Sequence, residues 1–296
     1  MELGLVVSTL GRVEPLQRLL DSLAGRLGRG DQLVIVAQRN LAEVEAMIER
    51  FDAGAGSAVV TSSEPGAARG RNHGVAALTA ADPLLVFPND TTWFPEGTLE
   101  ALRALPDDTR LAAMTVVDEH GPKFALPSPG TPFDRWNAWS VIEMGLLVRR
   151  TLFDAVGGFD ADLGTGAPTP WQAGEATDLL LRIQSREPRA SAGITWLPPS
   201  VAVGGIADAH GLERAERRRK LRAYGRGLGL VVTRWRYPWP WRIAFVGGGL
   251  AFGLRHGGDY GALDGWWVFL GRLEGALGRT LGGALGGAAG VEAVRR

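Results

Sequence analysis

Through residues 1–90, short apolar runs alternate with amphipathic stretches, and that alternation leaves the chain few folds to adopt. Residues 3–8 (LGLVVS), 32–37 (QLVIVA), 58–62 (AVVTS) and 84–88 (LLVFP) read as strands. An unbroken apolar run suits a strand covered on both faces, because neither face meets water. Between the first two runs, Val13, Leu16, Leu19, Leu20, Leu23 and Leu27 recur at three- and four-residue spacing. Leu41, Val44, Met47, Ile48 and Phe51 repeat the pattern, and residues 66–80 supply a third helix. Strands alternating with helices predict an α/β fold with a mostly parallel central sheet, helices covering both faces. Ligands in such sheets sit beyond the carboxyl ends of the strands, so the loops after each strand are where chemistry belongs.

Further on, the pattern loosens. Pro122, Pro127, Pro129 and Pro132 interrupt residues 106–140, which read as loop with short strands. A strand over 141–149, a short helix over 151–156, a flexible loop over 164–172 (GTGAPTPWQ) and a helix over 175–186 follow. Residues 193–197 read as a late strand, 211–225 as a basic helix, and 275–294 as a weak helix or frayed tail. A length of 296 residues suits one large domain and an appendage, drawn here as 1–230 and 231–296. The chain has no Cys, which excludes disulfides and thiolate chemistry. The start carries no basic-then-apolar signal-peptide pattern.

Several groups could carry chemistry. Asn89-Asp90 follows the fourth strand. An Asp there could hold Mg²⁺ or Mn²⁺ against a diphosphate, since hard cations prefer carboxylate and phosphate oxygens; it could equally cap a turn. Glu175 and Asp178 open a helix after the Gly-rich loop. Either could take a proton from an acceptor alcohol, and either could merely complement the helix dipole. In residues 66–74 (GAARGRNHG), small residues permit close backbone approach, and Arg69, Arg71 and Asn72 could hold phosphate or ribose. His210, beside Asp208, could be a ligand or structural. Trp136, Trp139 and Trp171 could stack on sugar rings or fill core.

The order of these pieces resembles the family 2 glycosyltransferases, inverting enzymes with the GT-A fold, over roughly residues 3–230. Residues 6–12 (VVSTLGR) are similar to the family's opening strand and nucleotide-binding turn, with Gly11 in place of an Asn. Residues 34–40 (VIVAQRN) resemble the base-contacting strand and loop, with Gln38 where an Asp is usual. Arg71-Asn72-His73-Gly74, residues 87–94 (FPNDTTWF), 157–160 (GGFD) and 174–182 (GEATDLLLR) continue the match. The resemblance implies a nucleoside-diphosphate sugar donor bound by Thr9, Gly11, Arg12, Gln38, Arg71, Asn72, Asn89 and Asp90. It further implies Mg²⁺ or Mn²⁺ on Asp90 and His210, and a glycan or lipid-linked acceptor against Trp136 and Trp171. Ala176 stands where many members carry the second acid of a Glu-Asp pair, so the base falls to Glu175 or Asp178, with Glu175 favoured. A sugar nucleotidyltransferase and a non-catalytic glycan-binding scaffold of the same fold are the rival readings.

Net charge is zero but uneven. Residues 211–242 hold ten basic residues and two acidic ones, a local surplus of +8 that points to an anionic partner surface. Residues 235–242 (WRYPWPWR) interleave Trp, Tyr and Arg as bilayer interfaces do. The apolar run over 243–254 is too short to span a bilayer, which takes roughly 20 residues. The expected location is cytoplasmic, with peripheral contact to the inner face of the cytoplasmic membrane as one role for the tail. A buried helical subdomain or dimer surface is the other. No nucleic-acid motif accompanies the charge.

Overall fold

The expected alternation of strands and helices is present in the computed structural model, which describes residues 1–207, 210–256 and 260–281. The elements run β1 (Leu3–Thr9), α1 (Val13–Leu23), β2 (Gln32–Ala37), α2 (Leu41–Ile48), β3 (Ser57–Ser62), α3 (Ala67–Ala77) and β4 (Leu84–Val86). Next come α4 (Thr98–Arg103), β5 (Leu111–Ala113), β6 (Thr115–Asp118), β7 (Gly121–Pro122), β8 (Leu146–Arg149), α5 (Arg150–Ala155), α6 (Glu175–Arg186) and α7 (Pro188–Ala192). The chain continues through β9 (Thr195–Trp196), β10 (Ala202–Gly204), α8 (Arg214–Arg234), α9 (Trp239–Gly247), α10 (Phe252–His256) and α11 (Ala262–Leu277).

The main sheet has seven strands in the order β3-β2-β1-β4-β8-β5-β9. Four of its six strand pairs are parallel; only the two made by β8 are antiparallel. A smaller sheet orders β10-β6-β7. The fold is therefore α/β with a mostly parallel central sheet, followed by a helical C-terminal extension. Leu3, Leu5, Val7, Leu33, Ile35, Leu84 and Val86 are buried with the inner face of α1 (Leu16, Leu19, Leu20 and Leu23), as their spacing requires. Helix α3 sits almost on the sheet at Gly74, where an added Cβ would strike the Val6 side chain and lie 2.9 Å from Val36 Cγ2.

Several boundaries differ from the sequence reading. Only Leu146–Arg149 of the expected 141–149 strand is a strand; a 3₁₀ turn (Glu143–Gly145) precedes it. The 193–197 strand shrinks to Thr195–Trp196 at a sheet edge. The short strands expected within 106–140 are β5, β6 and β7, and α4 was not anticipated. That helix is held from outside itself, by Arg103 Nε donating to the buried Asp31 carboxylate at 2.8 Å. The basic helix runs on to Arg234 rather than stopping near 225, because its glycines serve packing rather than termination. The 164–172 loop is tied by its own Gln172, which accepts from Gly166 N at 2.8 Å and donates to Ala167 O at 3.0 Å.

By contacts the chain forms two units. The first comprises Met1–Pro65, Arg69–Phe159 and Leu179–Ala207, and holds both sheets. The second comprises Gly66–Ala68, Asp160–Asp178 and the described part of Asp208–Arg296. Within the second, α8 and α11 pack backbone against backbone through Gly225, Gly229, Gly271 and Gly275. A Cβ on Gly275 would be driven into Arg226 O and lie 2.7 Å from Leu230 N. Gly275→Val is expected to cost about 1–3 kcal/mol, the usual range for overpacking, read as an earlier thermal loss of helical circular dichroism.

Candidate functional site

Parallel pairing of β1 with β4 brings their carboxyl ends out side by side, and a bridge between Ser8 and Asn89 extends the pairing to the tip. There the Asp90 carboxylate, 6% exposed, accepts the Thr9 hydroxyl at 2.8 Å. Arg12 grips the same carboxylate with both prongs, Nε to Oδ2 at 3.2 Å and Nη2 to Oδ1 at 2.5 Å. The Arg12 side chain stays more than half exposed, so a buried negative group meets a positive one that faces solvent.

The turn between Thr9 and Arg12 depends on Gly11. Its φ of +72° lies in the left-handed region, and a Cβ would sit 2.7 Å from Arg39 O and from Asn40 Cβ. Asn40 Nδ2 donates back to Gly11 O at 3.3 Å. Gly11 is thus what lets the β1 turn lie against the β2 loop. Gln38, at the end of β2, donates to Glu64 O at 2.9 Å and Ser63 Oγ at 3.2 Å.

Arg71 and Asn72, expected at the donor, turn their polar groups into the protein. Arg71 is buried and donates to Asn89 Oδ1 at 2.8 Å, with its guanidinium 5.6 Å from the Phe159 ring centroid. Asn72 and Phe159 exchange two bonds, Nδ2 to Phe159 O at 2.8 Å and Phe159 N to Oδ1 at 2.9 Å. Phe159 itself packs edge-on against Phe87 and Phe153. Both residues therefore brace the strand tip.

The sequence reading missed Glu143. Its carboxylate accepts Asn89 Nδ2 at 3.1 Å and lies 3.5 Å from Arg71 Nη2, one residue from Asp90 through Asn89. Reading 141–149 as one strand hid it; nothing in its neighbours marks it, and antiparallel β8 is what brings it to the tip of β4. Trp136 is exposed on the first unit and Trp139 is half-buried.

In the second unit, Glu175 and Asp178 open α6, and both are buried. Asp178 Oδ1 accepts the Trp235 indole N–H at 2.9 Å and Arg234 Nη1 at 3.2 Å. Arg234 also donates to Asp160 at 2.7 Å. Burial would lower the Arg234 pKa, but its bonds to Asp160 and Asp178 outweigh burial and raise it. Glu175 lies beneath Gly164, whose φ is +100° and whose added Cβ would stand 2.9 Å from Glu175 Cδ. Trp171 is half-buried and accepts Gly164 N at 3.0 Å through its carbonyl. His210 lies exposed in a turn; its neighbour Asp208 falls outside the described residues.

The chemistry of the Asp90 site fits a hard cation. One carboxylate is the usual protein share for Mg²⁺, with phosphate oxygens and water completing the shell. Among the described residues no group of three His, Cys, Asp or Glu forms a cage that would hold a metal unaided.

Part of the +8 surplus over 211–242 is paired within the chain. Asp264 pairs with Arg217 at 3.2 Å and Arg218 at 3.1 Å. Glu274, fully buried, pairs with Arg222 at 2.5 Å and Arg226 at 2.6 Å. The basic helix is thus also a partner for α11.

No protein-family model and no curated protein matches the sequence. Solved structures do. Staphylococcus aureus TarS 1-349 aligns at TM-score 0.55 and 13% identity, over 94% of this chain and 92% of that one. The same fragment in complex with UDP aligns at 0.52 and 14%, over 97% and 95%. Against the longer TarS structure the chain spans only about half, 55% of that chain. The mannosyltransferase PcManGT from Pyrobaculum calidifontis, in complex with GDP-Man and Mn²⁺, aligns at 0.52 and 14%, over 98% of this chain and 78% of that one. What this chain shares with TarS and PcManGT is the fold: an α/β core with a mostly parallel sheet.

Proposed function

We propose that the chain is an inverting glycosyltransferase that moves a sugar, a hexose or a close relative, from a nucleoside-diphosphate sugar to an acceptor hydroxyl. The observation that carries this reading is the Thr9–Asp90–Arg12 cluster at the carboxyl ends of two parallel strands. That is where a diphosphate belongs in an open α/β sheet. TarS complexes with UDP and UDP-GlcNAc, and a PcManGT complex with GDP-Man and Mn²⁺, on the same fold, support it.

In this reading Asp90 would hold Mg²⁺ or Mn²⁺ on the donor diphosphate. The cation would supply neutralisation of the charge that builds on the leaving group. His210 is the second proposed ligand. Arg12 stands on the same carboxylate as a further positive group for that diphosphate, and competes with a cation for its oxygens. Thr9 and Gly11 shape the turn, Gln38 faces the nucleoside, and Arg71, Asn72 and Asn89 keep Asp90 in place. Trp136 and Trp171 are the proposed acceptor contacts.

The reaction is a single displacement. The acceptor oxygen attacks the anomeric carbon as the bond to the diphosphate oxygen breaks, and the acceptor proton passes to a carboxylate. Glu175 is the favoured base, with Asp178, whose carboxylate accepts from Arg234 and Trp235, as the alternative. Glu175→Gln is expected to leave donor affinity unchanged and cut turnover about a hundredfold, at the low end for general-base removal. An unchanged rate moves the base to Asp178. A glycan or lipid-linked acceptor of the cell envelope, met at the inner face of the cytoplasmic membrane, is the acceptor class proposed.

Incubation with UDP-, GDP- and dTDP-sugars, with and without Mn²⁺, tests the whole. Release of a nucleoside diphosphate supports transfer. Pyrophosphate release from a nucleoside triphosphate and a sugar phosphate would replace the reading with a nucleotidyltransferase. No turnover of any donor would leave a glycan-binding scaffold.

A further inference from the structure

Helices α9 and α10 are joined by tight turns, with Gly249 N, Leu250 N and Phe252 N each donating to the carbonyl three residues back. The winding therefore continues, and it sorts the side chains. Trp241 and Phe245 stack with Tyr237 in a row, and Phe245 lies under the Arg272 guanidinium of α11 at 4.2 Å. Gly249 abuts the Phe269 backbone, where a Cβ would sit 2.6 Å from Phe269 Cα. That side is the inner one.

The outer side is apolar too. Trp239, Ile243, Leu250 and Leu254 are spaced by four, seven and four residues, a helical stripe, with Gly247 open to space between them. Trp239 is 72% exposed and Leu254 83%. Leu263 and Trp266, near the start of α11, are exposed as well. Gly265 of α11 touches Leu250, its Cβ position falling 3.1 Å from Leu250 C, so the two sets adjoin. Seven of the thirteen large apolar side chains exposed among the described residues lie between 239 and 277, so the exposure is concentrated rather than scattered.

Charge decides the occupant. From 217 to 258 the sequence has no acidic residue. Arg236 and Arg255 are exposed at the two ends of the stripe. An apolar face with Trp and a basic rim on α9 and α10, with Asp264 of α11 buried and ion-paired, is the chemistry of an element lying in the headgroup layer. Among the described residues no helix is long and apolar enough to cross a membrane.

We propose that the outer face of α9 and α10, with the start of α11, docks in the plane of an anionic lipid bilayer, inserting Trp239, Ile243, Leu250 and Leu254 beneath Arg236 and Arg255. The proposal deepens the membrane element of the transferase reading, yet stands on this surface alone.

The test is flotation of the full chain with phosphatidylcholine vesicles, with and without phosphatidylglycerol. The chain is expected to float with the anionic vesicles, and less as salt rises. Ile243→Asp with Leu254→Asp should lower partitioning at least roughly tenfold, as expected for replacing buried apolar side chains by charges. Arg236→Ser with Arg255→Ser should weaken it on anionic vesicles only. Circular dichroism and donor hydrolysis in lipid-free solution should match the parent, since these side chains point to solvent. Three results would overturn the proposal: a parent chain that stays down with anionic vesicles, Asp variants that float as well as the parent, or a lipid-free dimer that the Asp variants dissociate. A chain that turns over donor yet fails to float loses only this surface. A chain that floats yet turns over no donor keeps it and loses the transferase reading.

Discussion

Asp90→Ala is expected to reduce sugar transfer by about a thousandfold or more and to abolish Mn²⁺-dependent donor binding with it. Losing one preorganised electrostatic group typically costs about 10²–10³ in rate, and here the carboxylate would also be the cation's protein ligand. The variant would leave the buried Thr9 hydroxyl without its acceptor and Arg12 without its anion. An unsatisfied buried group costs about 1–3 kcal/mol, so thermal melting must accompany the kinetics. Asp90→Asn separates the effects. It keeps an acceptor for Thr9, and should melt close to the parent while still failing in transfer. Arg12→Ala provides the complement. Removing the half-exposed guanidinium frees the Asp90 oxygens, so Mn²⁺ affinity measured by calorimetry should rise even as turnover falls. Full transfer by Asp90→Asn at saturating donor would remove the metal-binding role.

The second large effect concerns stability. Glu274→Ala should destabilise the C-terminal extension by about 3–5 kcal/mol, the cost of removing one partner of a buried ion pair. Arg226 is buried and Arg222 nearly so, and both would lose their carboxylate partner. The same pair makes the extension acid-sensitive. Burial alone would raise the Glu274 pKa, but hydrogen bonds from Arg222, Arg226 and Leu281 N outweigh it and hold it at about 2, against an ordinary 4.5. A carboxyl depressed in the folded state stabilises fully above its ordinary value and progressively less as pH falls toward its folded one. Asp264 is lowered as well; burial opposes the shift, and Gly261 N, Arg218 and Arg217 overcome it. Melting temperature should therefore hold above pH 4.5 and drop between about 4.5 and 2. In Glu274→Gln the drop should be smaller, because one of the two titrating acids is gone. A melting temperature of Glu274→Ala equal to the parent's would show that the buried pair contributes nothing.

Local pattern was enough for the first four strands and three helices. Each strand there is an apolar run, and each helix buries one stripe, so periodicity identifies them without knowledge of partners. Pattern was also enough to place Asp90 at a strand end and Glu175 in the first turn of a helix. It failed where an element is defined by what it touches. Strands β5 and β6 were expected only as unplaced short strands and β9 as a longer one; each spans two to four residues, too few to show a period, and is bounded by the hydrogen bonds of its neighbours. Helix α4 needs Asp31, some seventy positions earlier. The glycines of α8 read as a stop, yet they are where α11 comes within backbone contact.

The site divides along the same line. Which residue types stand at the strand tips was legible in their order along the chain. Their hydrogen-bond partners were not: Arg71 donates to Asn89, Asn72 to Phe159 O, and Asp178 accepts from Arg234 and Trp235. The basic run shows the difference most plainly. By sequence its charge is a local surplus; in space Asp264 and Glu274, some fifty residues later, pair with four of its arginines. The sequence by itself determined which segments are apolar, which are amphipathic and where the acids stand, because those are properties of neighbours along the chain. Only the tertiary structure decided which charges are paired and which apolar side chains remain exposed, because pairing and burial depend on distances through space between residues far apart in the chain.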